Sequence, residues 1–117
     1  MSTNKNNNIY RIAVASTDGK VINQHFGRAD NFLIFEISGN RYSLLERRDV
    51  TPLCDNGEHT EEGLLSAIEA LKDCTAVVVA KIGVPAKRAL EINGISVFEQ
   101  PDYIDNALEK LTAYYIK

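Results

Sequence analysis

Ala76-Val77-Val78-Val79-Ala80 is an unbroken run of small and β-branched residues with no polar position in it. A run of this kind cannot alternate a wet face with a dry one. It suits a strand covered on both sides, as in a parallel sheet flanked by helices. The neighbouring segments agree. Upstream, Thr60 can cap a helix with Glu61 and Glu62 in its first turn and an apolar stripe of Leu64, Leu65, Ile68 and Leu71. Downstream, Pro85 suits a first helical turn, residues 86–91 continue it, and Asn93-Gly94 stops it. Residues 95–99 read as a further strand, and Asp102 can cap a last helix carrying Ile104, Ala107, Leu108 and Leu111.

Before Pro52 the rhythm is different. Residues 9–15 are β-branched and partly alternating, residues 32–37 are nearly all apolar, and residues 42–47 alternate. Ser38-Gly39-Asn40-Arg41 is a hairpin turn with Gly and Asn available for positive φ, so the second and third strands are antiparallel neighbours. The order β-β-β-α-β-α-β-α is that of an α/β domain with a mixed sheet of five strands and helices on its faces. At 117 residues the chain can bury one core without disulfides or structural metal, so residues 9–117 read as a single domain. Residues 1–8 are polar, lack the apolar core of a signal peptide and read as a disordered tail. No apolar run approaches the roughly 20 residues that span a bilayer. Two cysteines are too few for a disulfide framework, which points to a reducing cytoplasm and free thiols.

Connectivity alone sorts residues onto the two ends of the sheet. With the C-terminal end of the first strand taken as the top, the second strand runs down from the loop at residues 16–30. The third then runs up to Thr51-Pro52-Leu53-Cys54. A fourth strand parallel to the first also ends at the top, at Lys81-Ile82-Gly83, while Cys74 precedes it at the bottom. His25, Cys54 and the nearby His59 therefore converge on one edge. The crevice outside the carboxyl ends of strands is where open α/β sheets bind ligands.

Several residue types at that edge carry chemistry. Gln24-His25-Phe26-Gly27-Arg28-Ala29-Asp30 closes the long loop. Phe26 and Phe32 at its end argue for order. Few apolar residues anchor the rest, so the loop is expected to be the most mobile part of the domain without ligand. A neutral His25 imidazole can ligate a metal, or it can simply hydrogen-bond its own loop. Cys54 and His59, four residues apart around the turn-forming Asp55-Asn56-Gly57, suit zinc, copper or an iron–sulfur species. So few groups cannot close a tetrahedral site, and an external cluster or an open coordination position is needed. The plainer alternative is a free loop thiol with His59 capping the following helix. Arg28 and Lys81 add positive charge. Gly83-Val84-Pro85 opens a helix where anions are favoured, although ordinary strand-to-helix packing explains the same residues. Cys74 fits a small apolar site next to Ala76.

Enzymatic readings have less to rest on. The chain contains no GxSxG, phosphate-loop lysine or HExxH motif. A Cys–His nucleophile pair would have only Asp55 nearby as its orienting group. Asp18 and Glu36 raise a metal-dependent hydrolase or nuclease. That chemistry needs a cluster of inward carboxylates, and a net charge of −3 disfavours a nucleic-acid partner. Asp18-Gly19-Lys20 reads better as a turn. A plain interaction module with an incidental loop histidine is the third alternative.

Residues 12–21, followed by Gln24-His25-Phe26-Gly27-Arg28-Ala29, closely resemble the opening of the dinitrogenase iron–molybdenum cofactor biosynthesis family. That family includes NifX-like proteins, the core of NafY and the C-terminal domain of NifB. The likeness continues through residues 48–54, residues 71–77 and Lys81-Ile82-Gly83. It implies a ribonuclease-H-like α/β fold and non-catalytic binding of an anionic iron–sulfur cofactor, the iron–molybdenum cofactor or its precursor. Such binding would serve carriage or storage alongside nitrogenase assembly proteins. His25 matches the family's HFG histidine and is the first ligand candidate. Cys54 matches the family cysteine after the third strand and is the second, while His59 is added on proximity. Gly27, Arg28 and Lys81 complete the cofactor-binding set, the cations and backbone N–H groups offsetting cluster charge. No C-x3-C-x2-C motif is present, so the resemblance is to the binding unit and not to the cofactor-building enzyme.

Overall fold

The strand on which both halves of the sheet meet is β1 (Ile9–Val14). A computed structural model describes residues 9–52 and 61–115. On one side β1 pairs antiparallel with β2 (Asn31–Ser38), which pairs antiparallel with β3 (Arg41–Asp49). On the other side β1 pairs parallel with β4 (Ala76–Val79), which pairs parallel with β5 (Ser96–Glu99). The spatial order is β3-β2-β1-β4-β5. The helices are α1 (Glu61–Leu71), α2 (Val84–Ile92) and α3 (Ile104–Tyr115), and a short 3-10 turn, Phe26–Arg28, lies between β1 and β2.

The period-2 alternation of strand side chains divides the core into two layers. Ala13, Phe32, Ile34, Val77 and Val79 face α1 and α2, where Ala67, Ile68, Leu71, Ala86 and Leu90 meet them. Ile12, Val14, Ile37, Ala76 and Val78 face α3, where Ile104, Ala107, Leu108 and Leu111 meet them. All four residues of β4 are buried, as its continuous apolar run requires. The turn chemistry falls where the sequence places it. Gly39 in the β2–β3 hairpin has φ 65°, and Gly94, after the end of α2, has φ 84°. Asn93 Nδ2 donates to the Ala89 carbonyl at 2.7 Å, adding to the backbone bond that the Asn93 N–H already makes there at the end of α2.

Two expectations need correction. Leu65 is not part of the α1 stripe: it is 60% exposed, and the helix buries Ala67 in its place beside Ile68 and Leu71. Nor does the alternation expected over residues 42–47 persist. The β2–β3 register shifts between Ile34 and Phe35, whose partners are Glu46 and Leu44, and this leaves Leu45 out of the ladder. A bulge of this kind bends an edge strand. Leu44 and Leu45 are consequently both exposed.

One charged network ties β1, β3 and the end of α1 together. Asp73 accepts from Arg11 Nη1 at 2.8 Å and from Arg48 Nη1 at 2.8 Å, while Arg48 Nη1 also donates to the Ala70 carbonyl at 2.7 Å. Arg48, with Arg11 beside it, pulls the Asp73 carboxyl down to about 2. A lowered carboxyl pKa stabilises the fold above the ordinary carboxylate range. That contribution is lost as pH falls from about 4 toward 2. Because the Asp73 side chain remains 40% exposed, solvent screening limits the effect. We expect Asp73→Asn to cost about 1 kcal/mol at pH 7 in urea denaturation. The gap to wild type should shrink as the acid limb is entered, and an equal gap at pH 7 and pH 2.5 would contradict the assignment.

Candidate functional site

After Val14 the chain leaves the sheet and then returns to it. Ala15 N–H still donates to the Val78 carbonyl at 3.0 Å, but residues 16–23 swing outward. Ser16 is buried, and its Oγ accepts from Gly19 N–H at 3.0 Å. Asp18 Oδ1 accepts from Lys20 N–H at 2.9 Å and Val21 N–H at 3.1 Å, which pulls its carboxyl below the usual range. Gly19 supplies the positive φ of 77° that this turn requires. The loop then meets the start of α3, where Ile22 N–H donates to the Asp102 carbonyl at 2.9 Å and Ile104 N–H donates to the Lys20 carbonyl at 2.8 Å.

The returning segment docks on the extension of β4. Ala80 N–H donates to the Gln24 carbonyl at 2.9 Å, and Phe26 N–H donates to the Lys81 carbonyl at 2.8 Å, so His25 and Lys81 form a parallel bridge. Phe26 is buried against Phe32 with ring centroids 5.8 Å apart. Burying such a ring contributes about 2–3 kcal/mol, enough to hold the turn that follows. Arg28 N–H closes that turn on the His25 carbonyl at 3.0 Å. With Ile22, Phe26 and Ala29 all buried, the premise that few apolar residues anchor this loop is overturned. The buried residues are spaced among polar ones, which hides them from a count of apolar runs.

Docking Phe26 inward leaves its neighbour His25 exposed. The imidazole opens on a cleft of about 360 Å³ lined by His25, Gly27, Arg28, Lys81, Ile82 and Gly83. His25, Gly27, Arg28 and Lys81, assigned from sequence to one site, are thus together. Cys54 and His59 lie outside the described residues. The chain that leads to them starts at the same edge, since Val50 N–H donates to the Asp30 carbonyl at 2.9 Å.

The cleft is cationic. Among the described residues no ion pair engages Arg28 or Lys81. α2 begins directly after Gly83, with no side chain capping it and no acidic residue in its first turn. Its backbone dipole therefore adds to the positive field. Of the described residues lining the cleft, His25 alone carries a soft donor, and no group of three His, Cys, Asp or Glu that could hold a metal ion occurs among the described residues. The carboxylates of the nuclease alternative do not converge: Asp18 is consumed in its turn beyond β1, and Glu36 stands opposite Arg11 in the β1–β2 ladder, further down the sheet.

Sequence reasoning missed two residues at this edge. Glu99 ends β5, and its Oε2 accepts from Ile82 N–H at 2.9 Å. A strand parallel to β4 must end at the same edge, so connectivity held the signal. Gln24 carries a buried side-chain oxygen with no partner among the described residues, and nothing in its sequence context marks it.

The model for the dinitrogenase iron-molybdenum cofactor family matches residues 8–114. The chain belongs to that family. Among its relatives, the FeMo cofactor biosynthesis protein NifB of Frankia alni is 39% identical over 105 residues, covering 87% of this chain and 21% of that protein. NifB of Azotobacter vinelandii is 40% identical over 87 residues, covering 72% of this chain and 17% of that protein. Protein NifX of Sinorhizobium fredii is 31% identical over 107 residues, covering 86% of this chain and 66% of that protein. The chain thus spans about a fifth of the length of the NifB relatives. The fold is shared with the crystal structure of PH0822, at a TM-score of 0.67 and 22% identity over 92% of this chain and 93% of that one. A crystal structure from Methanocaldococcus jannaschii has a TM-score of 0.60 at 16% identity, covering 90% of this chain and 89% of that one. No helix among the chain's described residues is long and apolar enough to cross a membrane.

Cys74 stands apart from the site. It is 4% exposed, packed in the core layer beneath α1 and α2. Burial, with the adjacent Asp73 charge, pushes its thiol up to about 12. Thiolate is the reactive form, so this thiol should be inert in the native protein. Treatment with iodoacetamide at pH 8 should leave Cys74 unmodified until denaturant is added, read by peptide mass mapping; rapid native labelling would show that the core layer opens there.

Proposed function

We propose that this chain binds and carries an anionic iron–sulfur cofactor, the iron–molybdenum cofactor or its precursor, without catalysing a reaction on it. The observation that supports this most directly is the exposed His25 imidazole in a cleft whose two cations have no carboxylate partner among the described residues. An imidazole can take one open metal position of a cluster, and Arg28, Lys81 and nearby backbone N–H groups offset its negative charge. Cys54 is proposed as a second ligand through its thiolate, and His59 as a further one. The ribonuclease-H-like description of the sheet, a single binding unit over residues 9–117 and a reducing cytoplasmic setting belong to the same reading. So do nitrogenase assembly proteins as donors and acceptors of the cargo.

A carrier has to release what it binds. One or two protein ligands, supplemented by screened charge, hold a cluster more weakly than a closed four-ligand site, and the cleft's openness leaves the rest of the cluster accessible to a recipient.

The reading is tested by anaerobic titration with isolated iron–molybdenum cofactor. His25→Ala should weaken binding by about tenfold or more, equivalent to about 1.4 kcal/mol. Cys54→Ala should have a smaller effect, while Arg28→Ala and Lys81→Ala should each cost roughly two- to fivefold at low salt and flatten the salt dependence. Unchanged affinity in both His25→Ala and Cys54→Ala would remove the proposal.

A further inference from the structure

Glu99 sets a carboxylate against the wall of a cationic cleft. Its Oε2 accepts from Ile82 N–H at 2.9 Å, and Ile82 lines the cleft between Lys81 and Gly83. The side chain is exposed, and among the described residues it forms no ion pair with Lys81, Arg28 or any other cation.

This bond acts on the backbone that carries His25. The N–H of Ile82 and the carbonyl of Lys81 belong to one peptide group, and that carbonyl accepts from Phe26 N–H at 2.8 Å. Carboxylate, peptide 81–82 and Phe26 N–H therefore form one hydrogen-bonded chain. An ionised acceptor at one end polarises the peptide and strengthens the carbonyl at the other. The bond also changes the electrostatics of the cleft. Ile82 N–H is a donor beside Arg28 and Lys81 that a bound anion could otherwise engage. Glu99 occupies that donor and adds a negative charge next to it.

We propose that Glu99 is a built-in counter-charge that limits how tightly the cleft holds an anionic cargo, while its hydrogen bond keeps the backbone beneath His25 in place. The inference rests on the carrier reading and names a residue that tunes release. Two substitutions separate the charge from the bond. Glu99→Gln keeps an acceptor for Ile82 N–H and removes the charge, whereas Glu99→Ala removes both.

The probe is isolated iron–molybdenum cofactor, titrated anaerobically at low and high ionic strength, with amide hydrogen exchange measured on the apoproteins. Glu99→Gln should bind roughly threefold or more tightly than wild type at low salt, with the gain narrowing at high salt. Its Phe26 amide should exchange as in wild type. Glu99→Ala should speed Phe26 exchange by about threefold or more while the amides of β4 itself stay protected. Equal affinity of Glu99→Gln and wild type at low salt overturns the counter-charge, and unchanged Phe26 exchange in Glu99→Ala overturns the anchoring. If wild type does not bind the cofactor at all, the carrier reading fails and this inference falls with it, a result distinct from either of the others.

Discussion

Phe26 N–H donates to the Lys81 carbonyl, and Ala80 N–H donates to the Gln24 carbonyl. Between these two bonds a segment that has already left the sheet is held beside β4 as though it were a further piece of strand. The rest of the candidate site depends on this arrangement. It fixes the direction in which Phe26 enters the core against Phe32. Because neighbouring side chains on extended backbone point to opposite sides, it also turns His25 outward. The imidazole, the two cations and the start of α2 then share one cleft although they come from segments more than 50 residues apart. A loop free to move would have to order itself on binding, at an entropic cost of about 1–2 kcal/mol per residue. Backbone bonds to both β4 and the start of α3 reduce that cost beforehand.

The sheet supplies the rigidity behind this. β4 has helices on both of its faces and is hydrogen-bonded on both edges, so its end is a fixed reference for whatever docks there. The charged network Arg11–Asp73–Arg48 involves none of the residues that line the cleft and braces β3 against the end of α1. Cations engaged in structure and cations left for a ligand are thus separated in space. Arg11 and Arg48 are neutralised within the protein, while Arg28 and Lys81 have no carboxylate partner among the described residues. A chain of net charge −3 can therefore still present a locally positive cleft.

Much of this was legible in the sequence, for identifiable reasons. The buried run at residues 76–80, the Gly39 hairpin and the Asn93-Gly94 stop are local signals whose physics does not depend on the rest of the fold. The convergence of His25 with Lys81 required only strand directions, and those followed from hairpin geometry and the demand that a doubly covered strand run parallel. What stayed hidden depends on contacts between distant segments. Leu65 fits the helical spacing of the stripe but faces solvent, while Ala67 is buried with Ile68 and Leu71. The bulge at Leu45 depends on how β3 meets β2 and has no marker such as glycine. Ile22, Phe26 and Ala29 are single apolar residues in polar surroundings, and each became an anchor only through what it packs against. Cys54 and His59, both assigned to the site from sequence, fall outside the described residues.

The same distinction explains why Glu99 was invisible to motif reading. A glutamate at the end of an amphipathic strand is ordinarily a solvated terminus. It gains a role here because β5 runs parallel to β4 and ends level with the point where β4 stops making ladder bonds. Gln100 N–H still pairs with the Val79 carbonyl, and beyond the end of the ladder the Ile82 N–H donates to the Glu99 side-chain carboxylate. A charged acceptor at that position places negative potential beside a positive cleft. A site selected only for the tightest possible hold on an anion would avoid that combination. Under the proposed carrier role, a site that passes its cargo on is served by it, since the same carboxylate that opposes the anion holds the backbone on which His25 is mounted.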